Sequence, residues 1–359
     1  SNYNSIKAGK QYDKDGNKIK CPYLKIDEEQ TDERMFKWNF HWNTIVIFDE
    51  VHVCNNPKSI QGKLLKSTRH LDHVLMISAT ISDKLETFGI YGYMFGFYKS
   101  MRQASNWIKG MLREDKRHTG IVKLNSINKA ICPEKGSRMR IAELGDKFPN
   151  NQVTALSYNL GSKVTQQLNE VFESITDGLI KAKNNNANNH IFAEITKARM
   201  KIELYKVPIF ASLIQEYMDN GFAVVVFVNY TETLFKLADM FKTDSIVHGH
   251  QTVNERDDVI NRFQLNERKL IICTIGSGSV GVSLHDLYGV PRVSLISPTY
   301  SSIQLTQALG RIHRAGAKSP AIQRIIYSAG TCEEAICARV NAKLKFTANL
   351  NDNDFLEIN

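Results

Sequence analysis

Two adjacent carboxylates, Asp49 and Glu50, follow the apolar run Ile45–Phe48, and His52 stands two places further on. A run of apolar, β-branched residues reads as a buried parallel strand. Open α/β sheets bind their ligands at the C-terminal ends of such strands. Carboxylates held together there repel each other unless something positive lies beside them. A second constellation, QALGRIHRAG from Gln307 to Gly316, sets Arg311 and Arg314 three apart, on one helical face or the turn that ends it. Their planar forks match phosphate oxygens and stay charged at any working pH. Alone, that segment is a solvated basic helix face. Together with the carboxylates it points to polyphosphate chemistry.

The elements that must position these groups follow from the pattern. Residues 1–40 are polar and broken by Gly and Asp, which predicts turns and a hairpin. A strand over 44–48, a helix over 58–68 and a second strand over 73–80 follow, then an aromatic, glycine-punctuated segment (88–98) and a basic amphipathic helix (101–118). Turn formers cluster at 144–152. Residues 162–220 read as helical and charged, interrupted by the asparagine-rich tract 183–189. From 222 onward, strands at 222–228, 245–249, 269–274, 292–297 and 322–327 alternate with helices, and Thr252–Glu255 and Thr331–Glu334 fit capping boxes. Alternation of this kind predicts a doubly wound parallel sheet. The expected class is α/β with two domains: residues 1–148, incomplete, and residues 149–359, with a helical insertion at about 162–205.

Composition sets outer bounds. The chain has 359 residues, 42% hydrophobic and 23% charged, enough for two cores. A formal net charge of +9 suits a polyanionic partner without demanding one. The six cysteines form no C-x-x-C pair and no zinc-like spacing, the pattern of a reducing compartment, cytoplasmic or nuclear. No apolar run approaches the ~18 residues a membrane span needs. The opening SNYNSI lacks a methionine, and the expectation is a processed or truncated piece.

The motifs carry a resemblance. DEVH (Asp49–His52), SAT (Ser78–Thr80) and QALGRIHRAG resemble motifs II, III and VI of superfamily 2 helicases and translocases, in the family's order. Residues 224–234, 248–264 and 273–284 resemble motif IV, the segment after it, and motif V. The flavour lies between SNF2-like and DEAH-like branches and is similar to that of giant DNA virus helicases, which would place the protein in the host cytoplasm. The resemblance implies two RecA-like lobes clamping ATP, with Asp49 and Glu50 at Mg²⁺ and Glu50 deprotonating water. It makes Arg311 and Arg314 arginine fingers, also cofactor-binding with Gly281, and puts Gln307 at the γ-phosphate or the water. His52, Ser78 and Thr80 would couple the site to the facing lobe. Thr274, Gly276 and Gly278, with Asn229 and Arg256, would approach a nucleic-acid backbone, DNA in preference to RNA. The basic segment Lys197, Arg199, Lys201 is a further candidate, though a solvated helix face explains it more simply. Where the family often has Asp or Asn, Ser283 stands here. The protein would act as a monomer or within a larger complex.

One departure stands out. The phosphate loop G-x-x-x-x-G-K-[ST] is absent, and KAGKQ (Lys7–Gln11) has one glycine and no hydroxyl after Lys10. The expectation is therefore an ATP-driven motor whose phosphate loop lies upstream of Ser1, this chain alone being weak or inactive. The competing reading is a non-hydrolysing nucleic-acid-binding or scaffolding module on degenerate RecA folds.

Overall fold

The computed structural model describes residues 3–350 apart from 15–16, 42, 79–81, 83–84, 120–124, 139–142, 144–148, 171–172, 174–187 and 279–281. The chain divides into two compact units, centred on Ser1–Arg138 and Met139–Leu344.

The first unit begins with two antiparallel hairpins. Strand β1 (Lys10–Tyr12) pairs with β2 (Lys18–Lys20), and β3 (Leu24–Ile26) with β4 (Phe36–Trp38). Lys10 therefore sits in a hairpin strand opposite Lys20, and KAGKQ forms no strand-loop-helix cradle. A parallel pair follows, β5 (Val46–Phe48) and β6 (Val74–Met76), with helix α1 (Ile60–Ser67) between them in the chain. Both strands are shorter than the sequence pattern implies. The loop before α1 runs so close to Gly62 that a Cβ there would lie 2.0 Å from the Asn56 carbonyl oxygen. The aromatic segment becomes helix α2 (Leu85–Met94) and the loop beyond it, and the basic helix appears as α3 (Ala104–Thr119). Phe48, Val51, Cys54, Leu64, Leu65, Phe88 and Tyr91 form the core. Trp107 of α3 stacks on Phe97 at 4.8 Å and 7°.

The second unit holds a six-stranded, all-parallel sheet. Its strands are β7 (Asn151–Tyr158), β8 (Ala223–Val228), β9 (Ile246–Val247), β10 (Leu270–Thr274), β11 (Arg292–Ile296) and β12 (Ala321–Ser328), in the order β7-β12-β11-β8-β10-β9. Every residue of β8, β10 and β11 is buried, as central parallel strands require. Helices α4 (Asn188–Tyr205) and α5 (Val207–Asp219) precede β8, and α6 (Thr231–Met240) follows it. Phe210 and Ile214 of α5, with Leu234 and Leu237 of α6, pack on one face of the sheet. The other face is covered by α7 (Val253–Gln264), α8 (Ser302–Ile312) and α9 (Cys332–Leu350), through Phe263, Leu305, Leu309 and Ile336.

The expected α/β class and five of the six strands of this sheet agree with the structure. The sixth, β7, went unread because an edge strand with one buried residue, Val153, leaves little pattern in the sequence. The capping box at Thr252–Glu255 is present, with both side chains bonded to each other's backbone amides. At Thr331 it is not: the Glu334 carboxylate accepts from the Gly330 amide instead. Of the asparagine tract, 183–187 lie outside the described residues, and α4 starts at Asn188.

Candidate functional site

The first unit carries the carboxylates. Strand β5 ends at Phe48, and Glu50 takes a left-handed conformation, φ 49° and ψ 47°, as the cap of the short helical turn Val51–Cys54. A side chain with a Cβ is rarely held there, at a strain of order 1–3 kcal/mol, and such residues cluster at functional sites. The Asp49 carboxylate accepts from the Glu50 amide at 2.9 Å and is otherwise open to solvent. Glu50 Oε2 is buried and pairs with His52 Nδ1 at 3.1 Å. The same nitrogen lies 3.2 Å from Ser78 Oγ, so Glu50, His52 and Ser78 meet in one cluster. Burial pushes the His52 pKa below its usual value despite the opposing pull of Glu50 and Asp49, so the ring is neutral at neutral pH. Thr80 lies outside the described residues.

Tyr3 lies against this region, and no local sequence pattern marks it. Its ring stacks on Phe48 at 6.2 Å, and its hydroxyl donates to the Asp49 carbonyl at 2.6 Å. Burial raises the Tyr3 pKa, so the hydroxyl remains a donor. A lone tyrosine 46 residues upstream has no local pattern to betray this role.

The second unit carries the arginines. Gln307 and Arg311 lie one helical turn apart on α8, which ends at Ile312, so Arg314 stands in the loop beyond. The two guanidiniums still converge. Arg311 Nη1 donates to the Val282 carbonyl at 2.9 Å, Arg314 Nη2 to the same oxygen at 3.2 Å, and Arg314 Nη1 to Ser283 Oγ at 2.7 Å. The Leu284 amide returns a bond to the Arg311 carbonyl at 2.9 Å. The arginine segment and the strand-to-helix region before β11 are thus bound directly together. Burial lowers the Arg314 pKa from its ordinary value. Between them His313 Nε2 bonds the Pro149 carbonyl at 2.8 Å.

Thr274 ends β10, and Ile275–Gly278 form one helical turn. Among the described residues nothing lies within 4 Å of where a Gly276 Cβ would stand, so packing against them does not require glycine there. Gly281 lies outside the described residues. The turn His248–Gln251 abuts this one, since a Gly249 Cβ would come 3.6 Å from Ser277 Oγ. Gln251 stiffens it, accepting from the His248 amide at 2.8 Å and donating to the Ile246 carbonyl at 3.0 Å. Arg256 donates to the Gln251 carbonyl at 3.3 Å, and its Nε is buried without a partner. Two candidates are engaged elsewhere. Both amide protons of Asn229 are used internally, on Glu203 Oε2 at 2.7 Å and the Pro298 carbonyl at 2.9 Å, leaving no donor for a phosphate. The Arg199 guanidinium lies 4.2 Å over the Tyr300 ring and Lys197 bonds Glu194, so of the basic segment only Lys201 remains a plain solvated cation.

Residues 206–316 match the helicase conserved C-terminal domain family. A protein of Acanthamoeba polyphaga mimivirus that carries the name of an ATP-dependent RNA helicase is 35% identical over 380 aligned residues, covering 98% of this chain and 70% of that protein. The chain belongs to the superfamily 2 helicases. The helicase also matches the DNA repair and recombination protein RAD54 of Saccharomyces cerevisiae, 30% identical over 133 residues, 36% of this chain and 15% of that one. A RAD54-like protein of Drosophila erecta is 24% identical over 66% of this chain and 29% of its own length. The chain thus spans under a third of these two relatives. The Sulfolobus solfataricus SWI2/SNF2 ATPase core, solved in complex with dsDNA, aligns at 16% identity over 86% of this chain and 69% of that one, with a TM-score of 0.43. The helicase is thereby an ATP-hydrolysing enzyme of the helicase and translocase class.

Among the described residues no three His, Cys, Asp or Glu side chains gather at one point. An open carboxylate beside a second one does suit magnesium, which uses one or two carboxylates and takes its remaining ligands from water and substrate phosphates.

Proposed function

We propose that this helicase couples ATP hydrolysis to movement along nucleic acid, DNA in preference to RNA, with Asp49 and Glu50 of the first unit and Arg311 and Arg314 of the second as the residues that serve the hydrolysis. The observation that carries the proposal is Glu50. Its carboxylate, with one oxygen 3.1 Å from His52 Nδ1, is a base placed to take a proton from water, held on a strained turn beside an open Asp49. Magnesium, bound with the nucleotide, supplies charge neutralisation at the β- and γ-phosphates. Asp49 is the residue to hold it. Glu50 orients and deprotonates the attacking water. Arg311 and Arg314 exchange the neutral Val282 carbonyl for phosphate oxygens, a stronger partner for a guanidinium. Gln307, on the same helical face as Arg311, contacts the γ-phosphate or the water. His52 and Ser78 tie Glu50 to the loop that follows β6 and pass on its state. Support for DNA comes from the RAD54 relatives, which are named for DNA repair.

Positioning and charge stabilisation supply nearly all of phosphoryl-transfer catalysis. Because these 359 residues contain no G-x-x-x-x-G-K-[ST] segment, the chain by itself should hydrolyse ATP slowly. The test is steady-state phosphate release with saturating DNA or RNA and Mg-ATP. Glu50→Gln should remove the remaining activity, and Arg311→Ala should lower it by roughly 10³-fold or more, both without loss of nucleic-acid binding. Turnover that survives Glu50→Gln would refute the assignment of the base.

A further inference from the structure

Phe235 is half exposed, at 50%, on the helix that follows β8, and it is neither core nor cap. It does have company. Its ring meets His248 edge-on at 5.4 Å, and His248 lies 6.1 Å from His250, so three rings form one cluster. The cluster is rigid where it counts. His248 sits in the turn stapled by Gln251, and its Nδ1 faces the His250 amide at 3.4 Å. Burial, His250 and Arg256 together lower the His248 pKa, so its ring is neutral at neutral pH and presents an uncharged edge. The same turn abuts the open Gly276–Ser277 turn and carries Arg256 beside it. The surface therefore sets an exposed aromatic platform next to backbone and guanidinium groups suited to a phosphate.

We propose that Phe235, braced by His248 and His250, is a stacking site for an unpaired base of a single-stranded nucleic acid whose phosphate lies on the Gly276–Ser277 turn. This rests on the nucleic-acid reading above and adds the form of the track. Stacking on an aromatic face is open to every base but only where the base is not already stacked inside a duplex. Phosphate contact alone reads neither base nor strandedness. The ring thus gives the helicase a preference for the opened strand. DNA and RNA both offer this chemistry, and the assay separates them.

The experiment is fluorescence anisotropy with the full chain, using four labelled probes: single-stranded DNA, single-stranded RNA of the same sequence, a blunt DNA duplex, and a DNA strand with abasic sites. Phe235→Ala should weaken single-strand binding about tenfold, the loss of one stacked base. Duplex and abasic-strand binding should be unchanged, and Phe235→Trp should restore the single-strand affinity. A 2-aminopurine base in the strand should be quenched by the native chain and not by Phe235→Ala. Equal losses on single strand and duplex, or no loss at all, overturn the stacking site. Failure of the native chain to bind any of the four probes overturns the nucleic-acid reading itself, and the stacking site with it. A larger effect on one of DNA and RNA identifies the track.

Discussion

The two parallel sheets of this helicase meet opposite conditions. In the second unit, β8 has neighbours on both sides and helices on both faces, and all six of its residues are buried. Among the described residues of the first, β5 and β6 pair with each other alone, and Ile45, Ile47, Leu75 and Ile77 are 62%, 59%, 48% and 46% exposed. Parallel strands are normally covered on both faces. The same apolar, β-branched sequence language therefore ends up as core in one unit and as surface in the other. The lesson is that the candidate carboxylates follow a two-stranded parallel pair packed on aliphatic and aromatic side chains, while the candidate arginines are built into a six-stranded α/β sheet.

Ion pairs give the sharpest way to break that comparison. Lys206 is fully buried, bonded to Glu333 at 2.7 Å, to Ser297 Oγ and to the Ile326 carbonyl, both at 3.0 Å. Lys206→Met leaves Glu333 buried and unpaired, and should lower unfolding stability by about 3–5 kcal/mol. The Lys66–Glu33 pair of the first unit has the same 2.7 Å length but a 37% exposed carboxylate. Lys66→Met should change stability by no more than about 1 kcal/mol. Denaturant midpoints for both variants check this, and equal losses would erase the contrast.

The strands come next. Phe227→Ala in β8 should remove about 3–5 kcal/mol, because a buried ring leaves a cavity. Ile47→Ala in β5 should stay under about 1 kcal/mol, since its side chain is largely in water already. Thermal unfolding of the two variants measures the difference.

Acid provides a smaller and more general effect. His52 in the first unit and His313 in the second both have pKa values lowered by burial. Their folded states favour the neutral ring, so their contribution is complete above the ordinary histidine value and is lost as pH falls below it toward the folded value. Melting temperature should therefore decline as pH falls from neutral to about 5, and His313→Asn, which keeps a donor for the Pro149 carbonyl, should flatten the decline. A steeper decline in the variant would show the sign to be wrong. The smallest effect is on the exposed face of β5–β6: Ile47→Lys should reduce binding of a hydrophobic dye with little change in stability.

Much of the fold was legible because buried strands write themselves as apolar runs. The runs at 222–228, 269–274 and 292–297 became β8, β10 and β11 nearly residue for residue. β7 was not legible, because its pairing with β12 is written in neither strand alone. The site divides in the same way. Asp49, Glu50, His52, Arg311 and Arg314 stand in short local patterns, whereas Tyr3 reaches Asp49 across 46 residues and Glu203 holds Asn229 across 26. Asn229 itself shows how a motif position can mislead: its residue type suited a phosphate, but the buried Glu203 carboxylate and the Pro298 carbonyl had already taken its side-chain donors.

By itself, the sequence determined the α/β class, the candidate site side chains and their order along the chain, because these depend on residue type and on periodicities of two and three to four residues. Tertiary structure alone decided that Glu50 is strained and buried at one oxygen, that both arginines share the Val282 carbonyl, and that Phe235 stands beside His248 rather than in the core. Those outcomes depend on which distant segments compete for the same space and the same hydrogen bonds, and no local spacing encodes that competition.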